Sequence, residues 1–230
     1  MNRIVLLVLK KQKLIVLAFS FVLCLWGMFY PNPYKNIIWA LIFFPIIRVL
    51  LLSFDNGKFQ FRNIEYDKEV IHWSIVFPAL TLGLRSVLDF KIIDFSNGYL
   101  PAIFLILILV VIYLITIKKE LISFRKDNAW LNFHAVLLIS VFSFSIVASI
   151  NVMLDHERLK ESKVIVLKKQ INKVRGTSYS VILNLNKINK NSKQISVSKT
   201  RFEQIEIGDT LSILIGEGKY DIPWFILNEK

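Results

Sequence analysis

Long apolar runs separated by short charged segments fill the first two-thirds of the chain, and this pattern changes near residue 155. A membrane-spanning helix needs about 20 predominantly apolar residues. The uncharged stretch between Lys13 and Lys35 and the later stretch YLPAIFLILILVVIYLITI meet that requirement. A signal peptide is the alternative for the first stretch, but it would end in small residues, and WGMFYPNP supplies bulky aromatic ones. The pattern therefore predicts an α-helical transmembrane bundle of about five helices in residues 1–154, with spans near 14–34, 37–53, 70–85, 99–117 and 129–154.

The third of these segments has the least typical pattern. It is short, it is bounded closely by Glu69 and Arg85, and it contains His72 and Pro78. A re-entrant or interfacial helix is the alternative for an apolar run of this length. Whether residues 70–85 cross the membrane decides between five spans and four.

The distribution of Lys and Arg among the short loops predicts an orientation. With five spans, the loops on the N-terminal side carry eleven basic residues and those on the other side carry three before the last helix. Basic loops stay on the cytoplasmic side. We therefore expect a multi-pass protein of the cell (inner) membrane, with a cytoplasmic N-terminus and an extracytoplasmic C-terminal domain. Four spans would return the C-terminus to the cytoplasm.

From Asp155 onward, short β-branched runs alternate with polar turns. SKVIVLKK, SYSVILNLN, KQISVSK, TLSILIG and PWFILN are the runs, and NKINKNSK and EGKYD are two of the turns. Short strands at this spacing are typical of a small sandwich or barrel. Residues 155–230 are thus predicted to form a small, soluble, all-β domain that resembles a barrel.

The end of the last helix and the strand-rich tail carry short motifs, SINVMLD and GDTLSILIGEGKYDIPWF. In these motifs the chain resembles a group of small uncharacterised bacterial polytopic membrane proteins whose β-rich tail has a Gly-Asp, then Gly, then Pro-Trp pattern. The resemblance covers about the last third of the chain, and it implies no activity. The matching positions are Asn151, Asp155, Gly208, Asp209, Gly216 or Gly218, Pro223 and Trp224.

Composition and charge support a lipid environment over a nucleic-acid partner. Hydrophobic residues make up 54% of the 230 residues, and the net charge is +12. The basic residues cluster at the ends of the apolar runs, as expected of residues that flank membrane spans, and no nucleic-acid-binding signature accompanies them. The single cysteine, Cys24, excludes an intrachain disulfide.

Residue types with chemical potential are present but scattered. The three histidines lack HxxxH and HExxH spacing, and neither GxSxG nor a phosphate-binding glycine motif occurs. We therefore predict no catalytic, cofactor-binding or metal-binding residues. Three residues are the speculative functional positions: Arg48 and His134 as ionisable groups inside apolar segments, and Trp224 as an aromatic surface anchor or a core residue.

These observations favour a non-enzymatic protein. We expect the helices to anchor the β domain beside the lipid bilayer, and that domain to contact other membrane proteins or the envelope. No cofactor and no nucleic-acid partner is expected. The alternative is a small oligomeric transporter or channel that uses Arg48 and His134.

Overall fold

The computed structural model describes residues 3–54, 66–121, 127–173, 177–185 and 192–227, with the backbone alone at 3–13, 51–54, 66–72, 116–121 and 127–132. The chain divides into two compact units. The helical unit comprises Met1–Asp89 and Gly98–Met153, and the β unit comprises Phe90–Asn97 and Leu154–Lys230. The sequence placed the boundary at residue 154 and did not assign residues 90–97 to the second unit.

Among the described residues, five long helices form the helical unit, and each of the five apolar runs overlaps one of them. Their bounds are α1 Arg3–Phe29, α2 Tyr34–Phe54, α3 Tyr66–Leu88, α4 Tyr99–Leu121 and α5 Asp127–Met153. Their shared core is apolar, with Ile38, Leu41 and Leu82 fully buried. Apolar side chains dominate these helices all round, which is typical of helices surrounded by other helices or by lipid.

The predicted five-span bundle is wrong. Within the described residues, only two helical stretches, Ser96–Ile115 and Phe133–Met153, are long and apolar enough to cross a membrane. The apolar parts of α1 and α3, Leu14–Phe29 and Trp73–Leu88, are shorter. Each of these described parts is shorter than the roughly 20 residues that a membrane span needs. The span predicted at 14–34 also included residues 30–34, which lie beyond the end of α1 at Phe29.

Small side chains let the helices of this unit approach closely. Ser143, Ser145 and Ser149 of α5 are buried, and a Cβ added at Gly83 of α3 would lie 3.4 Å from the Ser145 hydroxyl oxygen. The Ser145 hydroxyl donates to the Val141 carbonyl at 2.7 Å, so burial leaves it bonded within its own helix. The serine-rich face of this helix is a packing surface, as in membrane helix pairs.

The described part of the β unit contains six antiparallel strands and a short α-helix. The strands are β1 Lys91–Ile92, β2 Lys160–Asn172, β3 Ser178–Asn184, β4 Ser192–Val197, β5 Thr210–Gly216 and β6 Trp224–Leu227; the helix is α6 Lys199–Gln204. The sheet order is β1-β6-β5-β2-β3-β4. The five runs identified in the tail each contribute one strand, and β1 comes from the segment between α3 and α4.

Alternating side chains of these strands form one core against α6. Phe225, Val181 and Ile213 are fully buried in it. The helix contributes Phe202, whose ring lies 4.4 Å from the Lys169 ammonium nitrogen. Ser198 caps α6 by accepting a hydrogen bond from the Arg201 amide, which satisfies an amide that the first turn leaves free.

The barrel-like prediction for the tail is also wrong. The sheet is an open half-barrel, since β1 and β4 stand at opposite ends of the strand order. A barrel would require these two strands to pair. β1 contributes only two residues, too few to pair along the length of β4.

Candidate functional site

The Asp155 carboxylate joins three parts of the β unit. One of its oxygens, Oδ2, accepts hydrogen bonds from the Trp224 indole Nε1–H at 2.9 Å and from the Gly218 amide at 2.9 Å. The other, Oδ1, accepts from the Glu157 amide at 3.1 Å. The carboxylate thus ties the chain after α5 to the β5–β6 turn and to the start of β6. We call Asp155, Gly216, Gly218 and Trp224 the Asp155 cluster.

Glycine is required in this cluster for two different reasons. A Cβ on Gly216 would lie 2.3 Å from the Trp224 indole nitrogen and 2.5 Å from the Asp155 carboxylate, so only glycine leaves room for their hydrogen bond. Gly218 has φ +81°, a conformation that side chains with a Cβ rarely adopt. The charge of Asp155 is therefore used to bind donors of its own chain, and the cluster stabilises the turn.

The motif residues that carry the resemblance to small bacterial membrane proteins lie in different parts of the structure. Asp155, Gly216, Gly218 and Trp224 come together in the cluster. Gly208 and Asp209 instead form the turn before β5, where Gly208 has φ +97° and the Asp209 carboxylate accepts from the Glu206 amide at 2.7 Å. Asn151 is buried in α5, within the helical unit.

A second polar cluster lies in the helical unit. The Tyr34 hydroxyl donates to one oxygen of Asp89 at 2.8 Å, and Arg85 binds the other oxygen at 2.7 Å. The side chains of Arg85 and Asp89 are 15% and 16% exposed, which makes this a part-buried ion pair. Burial, and then the Asp89 carboxylate, raise the pKa of Tyr34. The hydroxyl therefore stays protonated and keeps donating.

Sequence reasoning missed this second cluster. Asp89 directly follows α3, where a solvated loop charge would be expected, but its side chain is only 16% exposed. The i,i+4 spacing of Arg85 and Asp89 near the end of α3 is a signal that could have identified the ion pair. Nothing local signals the bond from Tyr34, which is 55 residues away along the chain.

The three speculative positions lie on three different elements. Arg48 is half-buried on α2, and its Nε has no hydrogen-bond partner among the described residues. His134 is exposed on α5 and meets the Phe133 ring edge-on at 5.8 Å. Trp224 is 7% exposed, so it is packed in the β unit and not presented on a surface.

The helical unit also contains an apolar cavity of about 80 Å³ among α2, α3, α4 and α5. Pro45 and Val49 line it from α2, Ala79 from α3, Ile112 from α4, and Ala135 and Phe142 from α5. No polar atom of the described residues contributes to its surface.

These features define a chain with an apolar helical unit and a small antiparallel β unit that contains a part-buried indole–carboxylate contact. Among the described residues, no group of three or more His, Cys, Asp or Glu side chains could hold a metal ion. No protein-family model, no curated protein and no solved structure matches this chain.

Proposed function

We propose that the chain is a membrane protein whose apolar helices anchor the β unit, and that the β unit contacts other proteins of the membrane or envelope. The observation that carries this proposal is the surface of α4. The span Ser96–Ile115 is strongly apolar, yet only 17% of it is buried. A core helix of a water-soluble protein would be mostly buried.

The exposed side chains of α4 define the environment it requires. Leu100, Phe104, Leu107, Val111 and Ile115 are between 54% and 78% exposed and recur every three or four residues. That spacing places them in one continuous stripe. Water-soluble monomers rarely expose apolar patches beyond a few hundred Å², whereas hydrocarbon surrounds such a stripe at no cost.

Charge near the two apolar helices favours one orientation. Lys118, Lys119, Arg125 and Lys126 lie between the two apolar stretches, and basic loops are retained in the cytoplasm. If α4 and α5 cross the cell membrane, the chain that follows α5 lies outside it. We therefore propose that the β unit is extracytoplasmic.

An interaction role suits the β unit better than catalysis. The Asp155 carboxylate is engaged by donors of its own chain, while β4, among the described strands, pairs on one side only. Such an edge strand can accept a further strand from another protein. Ile165 and Leu167 on β2 are nearly half exposed and add apolar surface.

The alternative, a small oligomeric transporter or channel, requires a polar path through the helices. The cavity among α2, α3, α4 and α5 is lined by apolar atoms alone, and His134 is on an exposed position. Neither observation favours conduction, so we propose the anchored interaction protein alone.

Membrane extraction and a reporter fusion test the proposal. The chain should float with vesicles and resist alkaline carbonate, and alkaline phosphatase fused after Lys230 should be active, since that enzyme folds only outside the cytoplasm. A fusion placed between α4 and α5 is the matched control and should be inactive. Release by carbonate would refute membrane anchoring, and an inactive C-terminal fusion would refute the orientation.

A further inference from the structure

The apolar cavity is chemically selective. Ions and water need polar partners, and a cavity without them stays dry or takes an apolar guest. Because no polar atom of the described residues contributes surface to this cavity, it suits an apolar guest.

The dimensions of the cavity restrict the guest further. Its volume of about 80 Å³ is about half that of an apolar cavity of roughly 150 Å³ known to hold benzene. It is too small for a ring system or for a whole lipid chain. The end of a flexible acyl chain, thin and without polar atoms, fits both the volume and the lining.

The sequence explains why the cavity exists. Ala79 and Ala135 present a single methyl group to it from α3 and α5, and Pro45 presents a compact ring from α2. Larger residues at these positions would fill the space. Three small side chains on three helices leave the volume between them open.

The neighbourhood of the cavity indicates where the guest comes from. The cavity is partly open, and α4 supplies Leu109 and Ile112 to its wall. On the same helix, Leu107, Ile108 and Val111 are 41% to 58% exposed and apolar. The cavity wall therefore continues into the stripe that the proposed function places in lipid.

We propose that this cavity binds the methyl end of a membrane-lipid acyl chain. The inference rests on the proposed membrane location and adds a lipid-binding site within the helices. The bound chain end fills a volume that the small side chains leave open, so a resident lipid becomes part of the packed helical unit.

Photolabelling of the full chain in phosphatidylcholine vesicles tests the site. The probe is a phosphatidylcholine with a diazirine at the methyl end of one acyl chain, and mass spectrometry locates the label. We expect label on Val49 and Ile112, reduced by about tenfold in Ala135→Leu and in Ala79→Leu, which each fill the cavity. Ala18→Leu, at an exposed position of α1, is the matched control and should leave the label unchanged. The two filling variants act from different helices, so a folding defect in one does not remove the test.

The exposed positions Leu107 and Val111 separate two ways of failing. If they are labelled while the cavity residues are not, or if neither filling variant lowers cavity labelling, the lipid site is refuted and the membrane location stands. If Leu107 and Val111 are not labelled either, the membrane location is refuted together with the site. A probe with its diazirine on the headgroup should label neither cavity residue, and label there would also refute chain-end binding.

Discussion

Replacing Asp155 by alanine should open the β5–β6 end of the β unit. The substitution removes one carboxylate oxygen that accepts two hydrogen bonds of 2.9 Å, from the Trp224 indole and from the Gly218 amide. Hydrogen bonds to a charged group contribute about 1.5 to 3 kcal/mol each, and leaving a buried donor unpaired adds to the cost. Because Asp155 is itself half-exposed and the two bonds share an acceptor, we expect a total of about 2 to 4 kcal/mol.

Hydrogen exchange of the full chain in detergent micelles measures this loss locally. A tenfold change in an equilibrium corresponds to about 1.4 kcal/mol, so the Gly218 amide should exchange between about 30-fold and several hundred-fold faster. The amides of β5 and β6 should lose protection with it, while those of α4 should not. Asp94→Asn removes a carboxylate of the same unit that accepts a hydrogen bond from the exposed Ser96 amide, and it should leave Gly218 unchanged.

A double-mutant cycle with Trp224→Phe isolates the indole–carboxylate bond. The two substitutions together should cost less than the sum of their separate effects, since each removes the same hydrogen bond. Exchange at Gly218 within about threefold of the parent chain in Asp155→Ala would refute the reasoning, because it would mean that the turn holds its conformation without the carboxylate.

Two further predictions concern the steric space around Gly216 and the protonation of Tyr34. Gly216→Ala should destabilise the β unit by about 3 kcal/mol or more, because the added Cβ collides with Trp224. Gly208 has open space around it but a φ of +97°, so Gly208→Ala should cost only about 1 to 2 kcal/mol in backbone strain. Chemical denaturation followed by hydrogen exchange compares the two variants, and equal costs would contradict the steric argument. The pKa of Tyr34 is raised above its ordinary value near 10. The contribution of its hydroxyl group to stability should therefore be complete below about pH 10 and be lost as pH rises through the higher folded-state pKa. Tyr34→Phe should therefore leave the phenolate absorbance at about pH 11 unchanged. A fall in that absorbance equal to the signal of one tyrosinate would contradict the raised pKa of Tyr34.

The elements of this fold could be predicted from the sequence better than its architecture. The uncharged runs predicted the positions of α1 to α5, and the short β-branched runs of the tail predicted β2 to β6. The number of spans was wrong because an apolar count does not show where a helix ends or how many of its residues are exposed. β1 was missed since two residues carry no recognisable alternation, and pairing with β6 alone makes them a strand. α6 was missed because it has only six residues.

The candidate sites show the same limit. The Gly-Asp, Gly and Pro-Trp motifs stood out in the sequence, but their meaning depended on contacts across 63 and 69 residues from Asp155. The apolar cavity could not be predicted at all, since Pro45, Ala79 and Ala135 are ordinary residues of apolar helices until four helices pack together.

The sequence by itself determined where the five long helices and strands β2 to β6 form, because side-chain periodicity and charge act over a few neighbouring residues. Only the tertiary structure decided that the sheet stays open, that Asp155 binds Trp224 and Gly218, and that small residues on three helices leave a cavity. Each of these depends on atoms that are distant in sequence and meet only after packing, so no local pattern records them.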